Sequence, residues 1–520
     1  MLAQSPTRRV VATLALIAVA LLAVTGCRTS PQQAPPAATA AVHDVAQRPL
    51  TPRQRELNLE TFDVVWITVR DRHYDPTLNG VDWPAVRDRL RPKMEQAATM
   101  AEARAVLGEM LATLGQSHMA ILPAEAYDGG ETAESEPAPP AAETTAASDG
   151  APGAPRAPAT ASREASRSSE AEAGRLGLDF RAVDGRALVF RVEPDSPAGR
   201  AGVRPGWELV SVGRREVRPV LSRVASMPTM AGVPLAALQA MAVRSLTSVD
   251  VGETVHLGFL DGQNRAAVVS LTADTPSGVP VRFGQLPIEY LQIDTRRLPA
   301  WGPTNLPPPA RGGIAYFSFN IWLDPVRVNA AFEGLLRDMD GAEGLVIDLR
   351  GNPGGLGAMA MGLGGYLVTQ RNLVLGETKL RNGNQRFVLN PRQPSYTGPV
   401  AVLVDELSAS TSEIFAGGLQ DIGRARVFGT RTAGAALPSV IEVLPNGDRF
   451  QYVFANYVSA SGRALEGQGV VPDEVVPLDR KSLLQGRDVV LDAARAWIRS
   501  QAPRAVTGEG RGEGHGRAGA

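Results

Sequence analysis

The 520-residue chain has a single cysteine, Cys27, which excludes an intramolecular disulfide and any cysteine-based zinc site. Lysine is almost as scarce. It occurs only at Lys93, Lys379 and Lys481, so arginine carries nearly all the positive charge, and histidine is limited to His43, His73, His118, His256 and His515. A formal net charge of -1 gives no reason for attraction to nucleic acid or acidic lipid, and no nucleic-acid partner is expected. What the chain does have is length and a 44% hydrophobic content, enough to bury more than one core in about three domains.

The place of the cysteine explains it. Arg8 and Arg9 precede an apolar run from Val10 to Val24 and then V-T-G-C, the charged, hydrophobic and small-residue order of a secretory signal. This stretch resembles a bacterial lipoprotein signal, which implies lipidation at Cys27. An ordinary membrane anchor is the alternative, although about fifteen apolar residues are short for a span. Both readings export and tether the protein to the membrane. Arg28 offers no acidic retention signal after the cysteine, so a lipid anchor in the outer membrane facing the periplasm is expected.

Composition then divides the chain into the signal 1–27, a Pro/Ala-rich tether 28–50, a helical domain 51–127 and a low-complexity insertion 128–173, read as disordered. Helical periodicity marks the third of these, in L-N-L-E-T-F-D-V-V-W-I-T-V-R and A-R-A-V-L-G-E-M-L-A-T-L. A β-rich segment 174–275 follows, then an α/β region 280–480, a C-terminal helix 481–499 and a disordered tail 500–520.

Segment 174–275 opens with G-R-L-G-L-D-F and carries S-P-A and A-G-V-R-P-G. It resembles a PDZ domain. The resemblance implies that the loop Arg175, Leu176, Gly177 and Leu178 cradles a peptide's terminal carboxylate on backbone N–H groups, while the adjacent strand adds the peptide to its sheet.

In the α/β region the apolar run at Gly344 reads as a parallel strand covered on both faces. P-V-A-V-L-V-D-E, T-S-E-I-F-A-G-G-L-Q-D and R-A-R-V-F-G-T then read as strand, helix and strand. Ser410, within S-A-S-T-S-E-I-F-A-G, falls where the first strand hands over to the helix. With Glu413 it fits the S-x-x-E capping box, a purely structural role. Yet the carboxyl end of a parallel strand is where open α/β sheets bind ligands, and a helix N-terminus stabilises an alkoxide or an oxyanion. Upstream, D-L-R-G-N-P-G-G from Asp348 to Gly355 ends another strand in a glycine turn whose N–H groups are open to a substrate carbonyl.

The order of these motifs, closed by L-E-G-Q-G-V-V-P-D from Leu465 to Asp473, resembles the C-terminal processing peptidases, or tail-specific proteases. The resemblance implies an α/β core of the ClpP/crotonase-like type beside the helical and PDZ domains. It implies a serine peptidase acting without cofactor or metal on proteins with accessible C-terminal tails. Ser410 would be the nucleophile, and Thr411 with Gly355, or alternatively Gly354, would form the oxyanion hole.

One segment departs from that pattern. The family's T-F-G-K-G lysine, which activates the serine, corresponds here to R-T-A-G-A-A, with Ala435 in the lysine's place. A serine hydroxyl without a base is a poor nucleophile. L-G-Q-S-H-M-A-I-L, from Leu114 to Leu122, resembles instead the Ser-His pair of the tricorn-like branch of the superfamily. That match implies His118 as base, Ser117 as its adjunct and Glu466 as the orienting carboxylate. The other histidines fall in the tether, the tail, a strand of the PDZ-like segment and the first helical segment. Two alternatives accompany this reading: an inactive PDZ-containing adaptor, and a binding protein for a small apolar ligand.

Overall fold

The computed structural model describes residues 47–124, 173–227, 232–282, 288–300, 302, 309, 312–339 and 341–501. Cys27 and its signal, residues 28–46 of the tether, 128–172 of the insertion and 502–520 of the tail lie outside the described residues.

Each of the first three helices begins where a short polar side chain can satisfy an orphan N–H group. Thr51 caps α1 (Pro52–Arg72) in a reciprocal box with Gln54, Asp82 caps α2 (Trp83–Gln96), and Thr99 caps α3 (Met100–Ala112). Their apolar faces enclose Phe62, Val65, Leu90, Leu107 and Met110. The helical unit is not closed on itself. After α3 the chain extends as β1 (Ala120–Leu122), which pairs antiparallel with Arg449–Val453, and Leu437, Leu444, Phe450, Tyr452 and Val453 complete the same core.

The second unit comprises β2 (Leu178–Val183), β3 (Arg186–Val192), α4 (Pro197–Arg200), β4 (Glu208–Val212), β5 (Arg215–Glu216), α5 (Val217–Ser226), α6 (Leu235–Leu246), β6 (Thr254–Leu260) and β7 (Ala266–Thr272). Its main sheet runs β2-β3-β4-β6-β7, and α6 packs against the edge strand β2.

The third unit begins with β8 (Val279–Val281), β9 (Glu289–Leu291), β10 (Ile293–Leu298), β11 (Ile314–Phe319), α7 (Pro325–Arg337), β12 (Gly344–Asp348), α8 (Ala358–Gly364), β13 (Leu373–Leu380) and β14 (Gly383–Leu389). It continues through β15 (Val400–Val404), α9 (Thr411–Asp421), β16 (Arg426–Gly429), β17 (Ser439–Val443), β18 (Arg449–Val453), β19 (Ala455–Ser459), β20 (Glu474–Val475), α10 (Arg480–Leu484) and α11 (Val489–Gln501).

A six-stranded sheet in the order β10-β11-β12-β15-β16-β20, parallel from β11 onward, forms its centre. Strands β12 and β15 are buried at every position, because α7, α8 and α9 cover one face of the sheet and α11 the other. The single C-terminal helix expected over 481–499 is instead two helices, α10 and α11. The fold is thus mixed α/β with a parallel core, and the turns after β12 and β15 open side by side at the carboxyl end of the sheet, where such sheets place their crevices.

Candidate active site

Strand β15 gives way to the turn Asp405–Ala409, and Ser410 stands at the entry to α9 with φ 54° and ψ -116°. An L-residue held there carries strain of roughly 1–3 kcal/mol, which persists only where surrounding bonds dictate it. Those bonds are present. The Ser410 N–H donates to the Ala435 carbonyl at 2.9 Å and to Glu413 Oε2 at 2.9 Å, while its carbonyl accepts from the N–H groups of Glu413 and Ile414. Such a strand-to-helix elbow places Ser410 at the positive end of α9.

The glycine turn packs directly on this elbow. Gly354 has φ 100°, and a Cβ there would lie 2.7 Å from Ser410 Cβ and 3.0 Å from the Thr411 nitrogen, so only glycine fits. Thr411 Oγ1 donates to the Gly355 carbonyl at 2.9 Å, and Ser412 Oγ donates to the Asn352 carbonyl at 3.0 Å. The two glycines are not equivalent as donors. The Gly354 N–H is taken by Asn352 Oδ1 at 3.0 Å, whereas the Gly355 N–H forms no hydrogen bond among the described residues. Thr411, at the first position of α9, also has an N–H without an intrahelical partner. Gly355 and Thr411 therefore present the open pair of donors.

The histidine arrives from the other side of the fold. Pairing of β1 with β18 carries the segment before β1 to the peptidase core. There Ser117 Oγ lies 2.7 Å from His118 Nδ1 and 2.9 Å from Glu466 Oε2, and the Ser117 N–H donates to Glu466 Oε1 at 2.8 Å. A hydroxyl has one proton, and a carboxylate can only accept. Ser117 therefore donates to Glu466 and accepts from His118 Nδ1–H, which leaves Nε2 with the free lone pair. Burial lowers the His118 pKa to about 4, so the imidazole is neutral at pH 7. Burial also raises the Glu466 pKa, an effect partly opposed by its bonds from Ser117 and Ala436.

Residues 435–436 join the two halves. The Ala435 carbonyl accepts from Ser410, and the Ala436 N–H donates to Glu466 Oε2 at 3.1 Å. Ala435 is fully buried, its methyl packed with Ala409 and Ala433. The three lysines stand elsewhere: Lys93 pairs with Glu109, Lys379 is exposed on β13, and Lys481 lies in α10.

Other features were invisible to the sequence reading. Arg175 forms a 2.8 Å ion pair with Glu193, so its charge is already matched beside the loop Leu176–Leu178. From β2, fully buried Arg181 reaches Asp405 Oδ2 at 2.7 Å, and Asp405 Oδ1 accepts from the Gly351 N–H at 2.8 Å. The second unit is thereby tied to the glycine turn. No local pattern marks Arg181, because its partners are distant in sequence.

A buried parallel-sheet core with a serine elbow, an open pair of N–H donors and a serine-supported histidine defines a serine hydrolase arrangement. Comparison with known proteins agrees. Peptidase family S41 matches residues 312–476, and the tricorn protease C1 domain matches residues 56–112. The carboxyl-terminal-processing protease of Picosynechococcus sp. is 28% identical over 415 residues, covering 79% of this chain and 81% of that protein. The putative tricorn protease homolog 2 of Streptomyces coelicolor is 26% identical over 467 residues, covering 84% of this chain but 32% of its own. The crystal structure of mature CPAF shares the fold, with a TM-score of 0.54 at 14% identity over 87% of this chain and 99% of that one. The core carries a peptidase family S41 region, and the chain is a serine-type peptidase similar to the carboxyl-terminal-processing proteases.

Proposed function

We propose that the protein is an exported, lipid-anchored endopeptidase that captures protein C-terminal tails through a PDZ-like unit and cleaves peptide bonds by way of an acyl-enzyme. The observation that carries the chemistry is the hydrogen-bonded chain His118–Ser117–Glu466, tied to Ser410 through Ala435 and Ala436.

Ser410 Oγ attacks the peptide carbonyl carbon as its proton passes to His118 Nε2, and the oxyanion accepts from the Gly355 and Thr411 N–H groups. The imidazolium then gives the proton to the leaving amine, the C–N bond breaks, and an ester to Ser410 remains. Water attacks the ester with His118 again as base, and the C–O bond to Ser410 breaks as its hydroxyl is restored. Ser117 holds the tautomer, and Glu466 polarises Ser117 to stabilise the imidazolium.

Tail capture would use the open edge of β2 beside α6, with the terminal carboxylate on the N–H groups of Leu176, Gly177 and Leu178. The Arg175–Glu193 pair favours backbone rather than guanidinium recognition. Export and anchoring rest on the signal-like N-terminus and Cys27. An active-site phosphonate should label Ser410 in the wild type and not in Ser410→Ala. Peptide binding without label would favour the adaptor.

A further inference from the structure

Glu413 reads from sequence as the far member of a helix cap, a role that needs only the bond to the Ser410 N–H. The side chain does more. It is fully buried; Oε2 accepts from Ser410 N–H at 2.9 Å and Ala435 N–H at 3.0 Å, and Oε1 accepts from Gly434 N–H at 2.8 Å and Thr432 Oγ1 at 2.6 Å. Both oxygens are thus occupied by donors from the nucleophile's elbow and from the segment that departs from the family pattern. Beyond Ala435, the Ala436 N–H is held by Glu466.

We infer that Glu413 is a positioning residue that fixes the strained backbone of Ser410 and, through Ala435 and Ala436, the placement of the His118–Ser117–Glu466 chain against the nucleophile. The inference rests on the proposed roles of Ser410 and His118. Its physical basis is that a carboxylate is acceptor-only and can serve all four donors, whereas a carboxylic acid or an amide turns a proton toward donors. Burial raises the Glu413 pKa to about 7, with the bonds from Thr432, Gly434, Ser410 and Ala435 opposing it. The ionisable groups nearest along the packed segments are engaged elsewhere: Arg431 donates to the carbonyls of Gly467, Gln468 and Gly232, and Glu466 accepts from Ser117 and Ala436. Deprotonated Glu413 is the ordering form, so turnover should decline as pH falls through about 7, before His118 protonates near 4.

The test uses the full chain, an unfolded protein substrate with a free tail, and a phosphonate probe. Glu413→Gln should lower kcat by about tenfold or more with KM within about threefold, and slow labelling of Ser410. It should also remove the near-neutral limb of the kcat profile. Thr432→Val keeps the carboxylate but deletes one bond to it, so that limb should move to higher pH in a folded protein. Wild-type kcat in Glu413→Gln, or an unmoved limb in Thr432→Val, would overturn the inference. Equal labelling rates in wild type and Glu413→Gln would overturn it while leaving the peptidase reading intact. A wild type that takes no label overturns both.

Discussion

The Ser117 hydroxyl meets Glu466 Oε2 at 2.9 Å across 349 residues of sequence. This contact fixes the hydrogen-bond direction at His118 and leaves Nε2 as the proton acceptor. The proposed base is thus held with its free lone pair on Nε2.

Removing that base tests the assignment. His118→Ala should lower kcat by roughly two to four orders of magnitude with KM nearly kept, the usual scale for loss of general acid-base help. Full turnover in His118→Ala beside an inactive Ser410→Ala would keep the nucleophile and refute the base. The ionisation has a stability signature as well. Burial holds the His118 pKa down at about 4 in the folded protein, below the ordinary imidazole value of about 6.5, so the unfolded chain binds more protons between these values. Its contribution is present above pH 6.5 and is lost as pH falls through about 4, so His118→Gln should show a shallower loss of stability over that window in urea titrations.

Glu466→Gln places an amide against donors, since Oε1 and Oε2 together accept from the Ser117 N–H, the Ser117 hydroxyl and the Ala436 N–H. It should reduce kcat by about 10-fold to 100-fold, and its effect should be strongly non-additive with Ser117→Ala because both act on one imidazole. Simple addition of the two losses in a double-mutant cycle would show that they act separately.

Ala435→Lys should not rescue His118→Ala. Position 435 is fully buried against Ala409 and Ala433, and its N–H and carbonyl are bonded to Glu413 and Ser410. Forcing in a long side chain costs on the order of 1–3 kcal/mol from overpacking alone, which should appear as a lower Tm. Restored turnover would mean that the loop can open to hold an amine.

At the proposed tail-binding loop, Gly177 has φ 75°, and a Cβ there would meet Ser196 Oγ at 2.0 Å. Gly177→Val should therefore distort the loop and weaken peptides with a free carboxylate more than their amidated counterparts. Equal weakening of both, measured by fluorescence anisotropy, would remove the loop from carboxylate recognition.

Local pattern alone marked the buried strands β12 and β15, since a parallel strand covered on both faces needs an uninterrupted apolar run. It also marked the S-x-x-E helix start and the glycine turn, because caps and positive φ angles impose residue types over a few positions. These marked the stretches that hold the proposed nucleophile and the proposed oxyanion donors. The resemblance favoured Gly355 and left Gly354 as the alternative; which of the two keeps an open N–H depends on Asn352 occupying that of Gly354. The sharing of a sheet between β1 and β18, which brings His118 and Ser117 to Glu466, did not follow from sequence. That meeting depends on burying Leu437, Phe450 and Tyr452 in a common core with α1, α2 and α3. Short periodicities record what each segment must bury, but which distant segment buries it is decided only when the chain packs.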